Sequence, residues 1–199
     1  TNLAIAQGQM KDFNTAIATL NTAKTKFPDN SEILTAMKSI SDEAVGTQLD
    51  KAAEFFNNKD YQNAIAEYLK IQPATVDSML GVASAYQNMD DYLNAIEYYK
   101  KALNLKPTDR DIAYYIGALY SDTGNYTEAE NYLNKALTLN KNNQNAKDLL
   151  ASIKEQNNSL TLDNAIKLYD EQKYDESLEL LNKVLSYNNQ NAYALYYRG

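Results

Sequence analysis

No cysteine, histidine or tryptophan occurs in the 199-residue chain, which holds only three Pro and six Gly. Without Cys there are no disulfides, thiolate zinc sites or thiol nucleophiles. Without His the commonest general base and metal ligand is missing. Most hydrolytic triads and zinc centres are thereby excluded, and only carboxylate or Lys chemistry stays open to an enzyme. Scarce Gly and Pro mean that turns are short or sparse. Positive charge is also in deficit: 19 Lys and Arg stand against 26 Asp and Glu, a net charge of −7. A nucleic-acid surface needs a basic stripe, so that class of partner is disfavoured. No apolar run approaches the roughly 18 residues that span a bilayer, and no signal peptide is recognisable. The chain opens Thr1-Asn2-Leu3 with no Met, which reads as a piece of a longer protein. The cytoplasm is favoured over the periplasm as its expected compartment.

What is abundant is Tyr, Asn and repetition. The chain has 17 Tyr and 24 Asn, a bias that fits an AT-rich bacterial genome. Tyr92-Leu93-Asn94-Ala95-Ile96-Glu97-Tyr98-Tyr99 is answered one period later by Tyr126-Thr127-Glu128-Ala129-Glu130-Asn131-Tyr132-Leu133. The same phrase begins at Phe13, at Tyr61 and, with Ser177 in place of Ala, at Tyr174. Repetition at such a period signals stacked supersecondary units. Each phrase opens a helix, because Tyr92, Ala95, Ile96, Tyr99, Ala102 and Leu103 follow helical spacing. Polar turns precede it, such as Asp122-Thr123-Gly124-Asn125, where Gly124 suits a left-handed residue. Pro28, Pro73 and Pro107 each stand three residues before a new unit, where they stop the preceding helix. The unit 45–75 is three residues short, and the deficit falls in its second helix.

These residues resemble the tetratricopeptide repeat family. The unit 110–143 supplies Ile116-Gly117, Tyr120, Ala129, Leu133 and Ala136 at the family's places, with Lys141 replacing the closing Pro. The unit 76–109 supplies Val82-Ala83, Tyr86, Ala95, Tyr99, Ala102 and Pro107. The early aromatic of the family pattern is absent, since Met79 and Ala113 stand there. The resemblance implies an all-α fold, a right-handed α-solenoid of antiparallel helix pairs. The expected organisation is a partial repeat over 1–30, an inserted helix over 31–44, a short repeat over 45–75 and full repeats over 76–109 and 110–143. A second inserted helix over 144–157, a repeat over 158–191 and the start of another over 192–199 complete it.

The two inserts resemble each other at one constant offset. Met37 and Ile40 answer Leu150 and Ile153, while Leu49, Ala52 and Phe55 answer Leu162, Ala165 and Leu168. A larger unit has been duplicated. Neither insert contains Pro, so each is expected to fuse with the following first helix. The alternative is a break at Gly46 or at 157–159, with Ser159 as a cap.

No catalytic, metal or cofactor residue is expected. Asp42-Glu43, Asp90-Asp91 and Asp109-Arg110-Asp111 are acidic pairs, but they fall at turns or first helical turns, where Asp and Glu cap helices and offset the dipole. By the resemblance, the first helices line a concave groove. The groove-facing places are Phe56, Leu80, Ser84, Gln87, Asn88, Tyr114, Ala118, Ser121, Asp122, Leu162, Ile166 and Tyr169. An apolar and aromatic strip with amides can bind a peptide. Tyr114 is the expected hot spot, and packing against the neighbouring repeat is the competing role for any of these residues. The function implied is a non-catalytic scaffold for a protein or peptide partner that is apolar or basic. Two alternatives stay open: the recognition arm of a larger enzyme or signalling protein, and a self-assembling scaffold.

Overall fold

The computed structural model describes residues 1–199. Eleven helices and no strands make up the chain, and they fall into two compact units, Thr1–Pro107 and Thr108–Gly199. The first unit holds α1 (Asn2–Gln9), α2 (Phe13–Lys26), α3 (Ser31–Asn57), α4 (Tyr61–Leu69), α5 (Val76–Asn88) and α6 (Tyr92–Leu105). The second holds α7 (Arg110–Asp122), α8 (Tyr126–Leu139), α9 (Gln144–Asp170), α10 (Tyr174–Tyr187) and α11 (Ala192–Arg198). Within each unit, helices pack in consecutive pairs, α1 on α2, α3 on α4, α5 on α6, α7 on α8 and α9 on α10. The all-α class expected from the repeats is the one observed. No helix is long and apolar enough to cross a membrane.

One three-residue turn recurs inside every pair. In the first, Met10 closes α1, Lys11 takes a left-handed backbone with φ of 60° and Asp12 opens α2. The Lys11 amide donates to the Gly8 carbonyl at 2.7 Å and the Asp12 amide to that of Gln7 at 3.0 Å. That pair of bonds is the Schellman motif, which satisfies carbonyls left over at a helix end. Asp12 then accepts from the Thr15 amide and so caps the next helix. The same bonds recur around Lys59, Asp90, Gly124 and Gln172, all with positive φ. Asp60, Asp91 and Asn125 cap the helices that follow, by the same side-chain bond to the third amide. Only the last turn lacks it, because Lys173 stands at the cap and has no acceptor. The first helices α3, α5, α7, α9 and α11 are capped by Asn30, Thr75, Asp109, Asn143 and Asn191, while α1 has no side-chain cap.

Residues 31–44 and 144–157 do not form separate helices. Each runs on without interruption into the following first helix, giving α3 and α9 of 27 residues each. Gly46 sits inside α3 with open space around it, and Ser159 lies inside α9. No Pro removes a backbone donor in either stretch, so nothing terminates the hydrogen-bond ladder. The duplication is visible in the helix bounds, since α2 and α3 map onto α8 and α9 with every end displaced by the same interval. The second helix of the short repeat, α4, has nine residues, where its counterparts have fourteen.

Small residues set how closely paired helices approach. Ala16, Ala64, Ala95 and Ala129, at one place in successive second helices, have no exposed surface. A Cβ on Gly117 would lie 2.8 Å from Leu133 Cγ, so α7 and α8 touch where that position is bare. In the first unit one cluster forms around Ala16, Leu20, Ile33 and Ile40, and another around Ala52, Ala64, Tyr68 and Val82. In the second unit Leu133, Leu150 and Ile153 form one cluster, and Ala165, Leu181 and Val184 the other.

Gly124 has φ of 76°, and a Cβ placed on it would meet nothing within 4 Å. Gly124→Ala therefore carries only the left-handed penalty, about 1 kcal/mol. Lys59→Gly relieves the same penalty and raises the urea midpoint. Equal midpoints for parent and Gly124→Ala contradict the turn geometry. Separately, Ala129→Leu overpacks the α7–α8 contact and lowers stability by about 1–3 kcal/mol in a thermal melt, whereas an unchanged melt would mean a wrong repeat register.

Candidate functional site

A helix that buries one face against its partner leaves the opposite face to other contacts. In α5, Met79, Val82 and Ala83 are buried, and in α7 Ile112, Ala113 and Ile116 are. The stripes left over run at intervals of four, seven and eight residues along the helix. In the first unit, Phe56, Leu80, Ser84 and Gln87 are half-buried and Asn88 is exposed. In the second, Tyr114, Ala118, Ser121, Leu162 and Ile166 are half-buried, while Asp122 and Tyr169 are exposed. None of the twelve sequence-derived groove residues lies in the core.

Several of them are engaged within the chain. The Tyr99 hydroxyl lies 3.3 Å from the Ser84 hydroxyl and donates to Gln87 Oε1 at 3.0 Å. The Asn88 side chain donates to the Ser84 carbonyl at 2.8 Å and accepts from the Tyr61 hydroxyl at 3.4 Å. Tyr61 also meets Phe56 edge-on, with ring centroids 5.3 Å apart. The structure therefore brings both Phe56 and Asn88 to the one Tyr61 side chain. In the second unit Tyr114 packs against the cluster of Ala129, Leu133, Ala146, Leu150 and Ile153. Its neighbour Tyr115, 5.8 Å away, is the more exposed ring, with 45% of its surface accessible. Leu162 packs against the cluster around Ala165 and Leu181. Tyr169 stands edge-on to both Tyr174 and Tyr197, at 5.3 and 5.2 Å.

The sequence reading missed one stretch of this surface. Thr1, Ile5, Gly8 and Gln9 of the α1 segment line a cleft of about 630 Å3, closed on its other side by Ser31, Thr35, Ala36 and Ile40 of α3. The signal was available, because the offset between the duplicated segments puts these four in register with Tyr114, Ala118, Ser121 and Asp122.

The electrostatics of the stripes are sparse. Asp122 is the one charged residue among the twelve. Of the acidic pairs, Asp91 and Asp109 cap helices and Asp90 accepts from the Tyr92 hydroxyl, whereas Asp42 and Glu43, expected at a turn, lie inside the unbroken α3, where Asp42 pairs with Lys38 at 2.7 Å. No group of three acidic side chains is arranged to hold a metal ion. The carboxylate set apart by its surroundings is Glu67 on α4, whose side chain is only 10% exposed. The Lys70 ammonium at 2.8 Å, helped by Lys51 at 3.1 Å and the Gln48 amide, outweighs the burial cost and holds its carboxyl down at about 2.

Two tetratricopeptide repeat family models match the chain, one over residues 87–153 and one over residues 2–30. No curated protein sequence matches it. Among solved structures, the first tetratricopeptide domain of Spaghetti, bound to the HSP90 peptide SRMEEVD, is 23% identical, with a TM-score of 0.51. The match covers 56% of this chain and 91% of that one. The Yersinia enterocolitica type III secretion chaperone SycD, in complex with a peptide of the translocator YopD, is 18% identical over 58% of this chain and 95% of that one, with a TM-score of 0.53. MamA is 16% identical over 96% of this chain and 98% of that one, with a TM-score of 0.50. At these identities the likeness is one of fold.

The pH dependence follows from Glu67. Its folded carboxyl ionises near 2, below the ordinary 4.5, so its stabilisation is complete above about pH 4.5 and is lost as pH falls toward 2. With no His, stability is flat between about pH 5.5 and 8. Denaturation at stepped pH should show both regimes, and Glu67→Gln should flatten the acid limb. An acid limb equally steep in that variant contradicts the assignment.

Proposed function

The chain belongs to the tetratricopeptide-repeat family, and on that premise we propose that it is a non-catalytic interaction scaffold whose first helices hold a peptide or helix of a partner protein. The observation that carries the reading is the repeated stripe of half-exposed Leu, Tyr, Ser and amide side chains on successive first helices. Such a surface offers burial to a partner's apolar side chains and hydrogen bonds to its backbone. The repeat units we assign are 45–75, 76–109, 110–143 and 158–191, with 1–30 and 192–199 as partial ones and 31–44 and 144–157 as insertions. The Spaghetti and SycD domains, held with peptides, lend support to this mode of use for the fold.

The partner's chemistry is the next question. An acidic tail held by its terminal carboxylate needs Lys or Arg to supply charge-assisted hydrogen bonds. The places that would carry such a clamp hold Leu49, Leu80, Tyr114 and Leu162, followed by Ala53, Ser84, Ala118 and Ile166. None is basic, and a net charge of −7 repels an acidic tail at long range. The partner segment is therefore apolar or aromatic, with positive rather than negative charge around it.

Calorimetry with two peptides tests this. A basic, apolar peptide should bind with modest salt dependence, and Leu80→Ala should weaken it by about 1–2 kcal/mol. Tight binding of the acidic peptide SRMEEVD, abolished when its terminal carboxylate is amidated, contradicts the proposal.

A further inference from the structure

The repeat 76–109 differs from the others in what its second helix sends to the first. The place of Tyr99 is taken by Leu20, Leu133 and Leu181 in three other repeats, and the place of Ser84 by Ile5, Ala53, Ala118 and Ile166 in all four. A buried hydroxyl needs hydrogen-bond partners, whereas leucine needs none. Tyr99 is 4% exposed, and its hydroxyl reaches two half-buried residues of the α5 stripe, Ser84 at 3.3 Å and Gln87 at 3.0 Å.

A tyrosine hydroxyl has one proton, and that fixes the direction of the relay. Tyr99 donates to Gln87 Oε1, so the proton between Ser84 and Tyr99 comes from Ser84. Two groups are left over. Gln87 Nε2 keeps its donors and has no partner within the chain, and Ser84 Oγ keeps a lone pair. A donor and an acceptor thus sit three residues apart on one helix face. Reversing the relay, with the Gln87 amide turned over, exchanges the two and still presents one of each. The complement of such a pair is one residue of an extended chain, whose N–H and C=O point to the same side.

We infer that Ser84 and Gln87 bind the main-chain N–H and C=O of one residue of an extended partner segment, with Tyr99 as the positioning residue that orients both. Apolar burial is non-directional, so a segment held by the stripe alone can shift along it. One main-chain clamp fixes its register. This inference deepens the groove reading and rests on it.

Calorimetry with the acetylated and amidated peptide Lys-Leu-Ile-Phe-Lys tests it, together with a series in which each amide in turn is replaced by an ester. The peptide has no Asn or Gln, so only its main chain offers an amide. For the parent chain, the ester that removes the N–H of the bound residue should cost about three- to tenfold in affinity. The next ester along, which weakens that residue's C=O, should cost a smaller factor, and the others little. Tyr99→Phe keeps the ring, and in that variant all the esters should bind alike. Ser84→Ala and Gln87→Met, which leave the core untouched, should level the series in the same way. A purely structural Tyr99 would lower the melting temperature and leave the ester pattern intact, and that result overturns the inference. Esters that all bind alike to the parent overturn it too. If Leu80→Ala still weakens the all-amide peptide in either case, the groove reading stands and only the clamp fails. If Leu80→Ala changes nothing, or the peptide does not bind, both fail for this chemistry.

Discussion

The fold depends on a turn in which one residue serves two helices. The third residue of each turn donates its amide back to the helix behind and, in four of the five, offers its side chain to the helix ahead. The turn therefore satisfies one helix end and starts the next in three residues, with no loop left to vary. A left-handed middle residue is the cost, and four of the five are not glycine. The strain of roughly 1–2 kcal/mol at each is offset by two backbone hydrogen bonds and, at all but Gln172, by a cap. Fixing the turn fixes which faces of the pair meet. Ala and Gly at those faces then let the backbones approach, and the opposite face of each first helix stays half-exposed.

The long helices α3 and α9 modify this plan. Each begins as a layer packed on the preceding pair and ends as the first helix of the next. α3 accordingly contacts α1 and α2 as well as α4 and α5. In the first unit the inserted stretch forms one side of the cleft beside α1 and carries Ala36, Ile40, Glu32 and Glu43 there. The duplicated segments retain their helix bounds while most of their side chains differ.

Much of the architecture was legible in the sequence. Tyr and Ala recurring at fixed spacing marked the second helices, Asp91 and Asp109 were read at helix starts, and the three prolines marked where units begin. Gly124 was readable as left-handed because glycine adopts that conformation without strain. Lys11, Lys59, Asp90 and Gln172 were not, because their conformation is imposed by hydrogen bonds on either side rather than by their own preference. Glu67 was equally hidden: its partners Gln48 and Lys51 lie on another helix, and only packing brings them together. The twelve candidate residues lie outside the core, as their register implied. Register cannot say what a neighbour covers: Tyr114, read either as a hot spot or as packed on the next repeat, is half-buried and packs on the α8–α9 cluster. The α1 cleft escaped notice because its residues, Thr1, Ile5, Gly8 and Gln9, match the repeat pattern loosely.

The central claim is that partners are held by the first-helix face of the repeats. Amide hydrogen exchange along the whole chain, with and without the basic, apolar peptide, measures this at every helix in one experiment. The account predicts slowed exchange in one or more of α1, α3, α5, α7 and α9, with α2, α4, α6, α8 and α10 unchanged. Slowed exchange in the second helices, with the first helices unaffected, would contradict it.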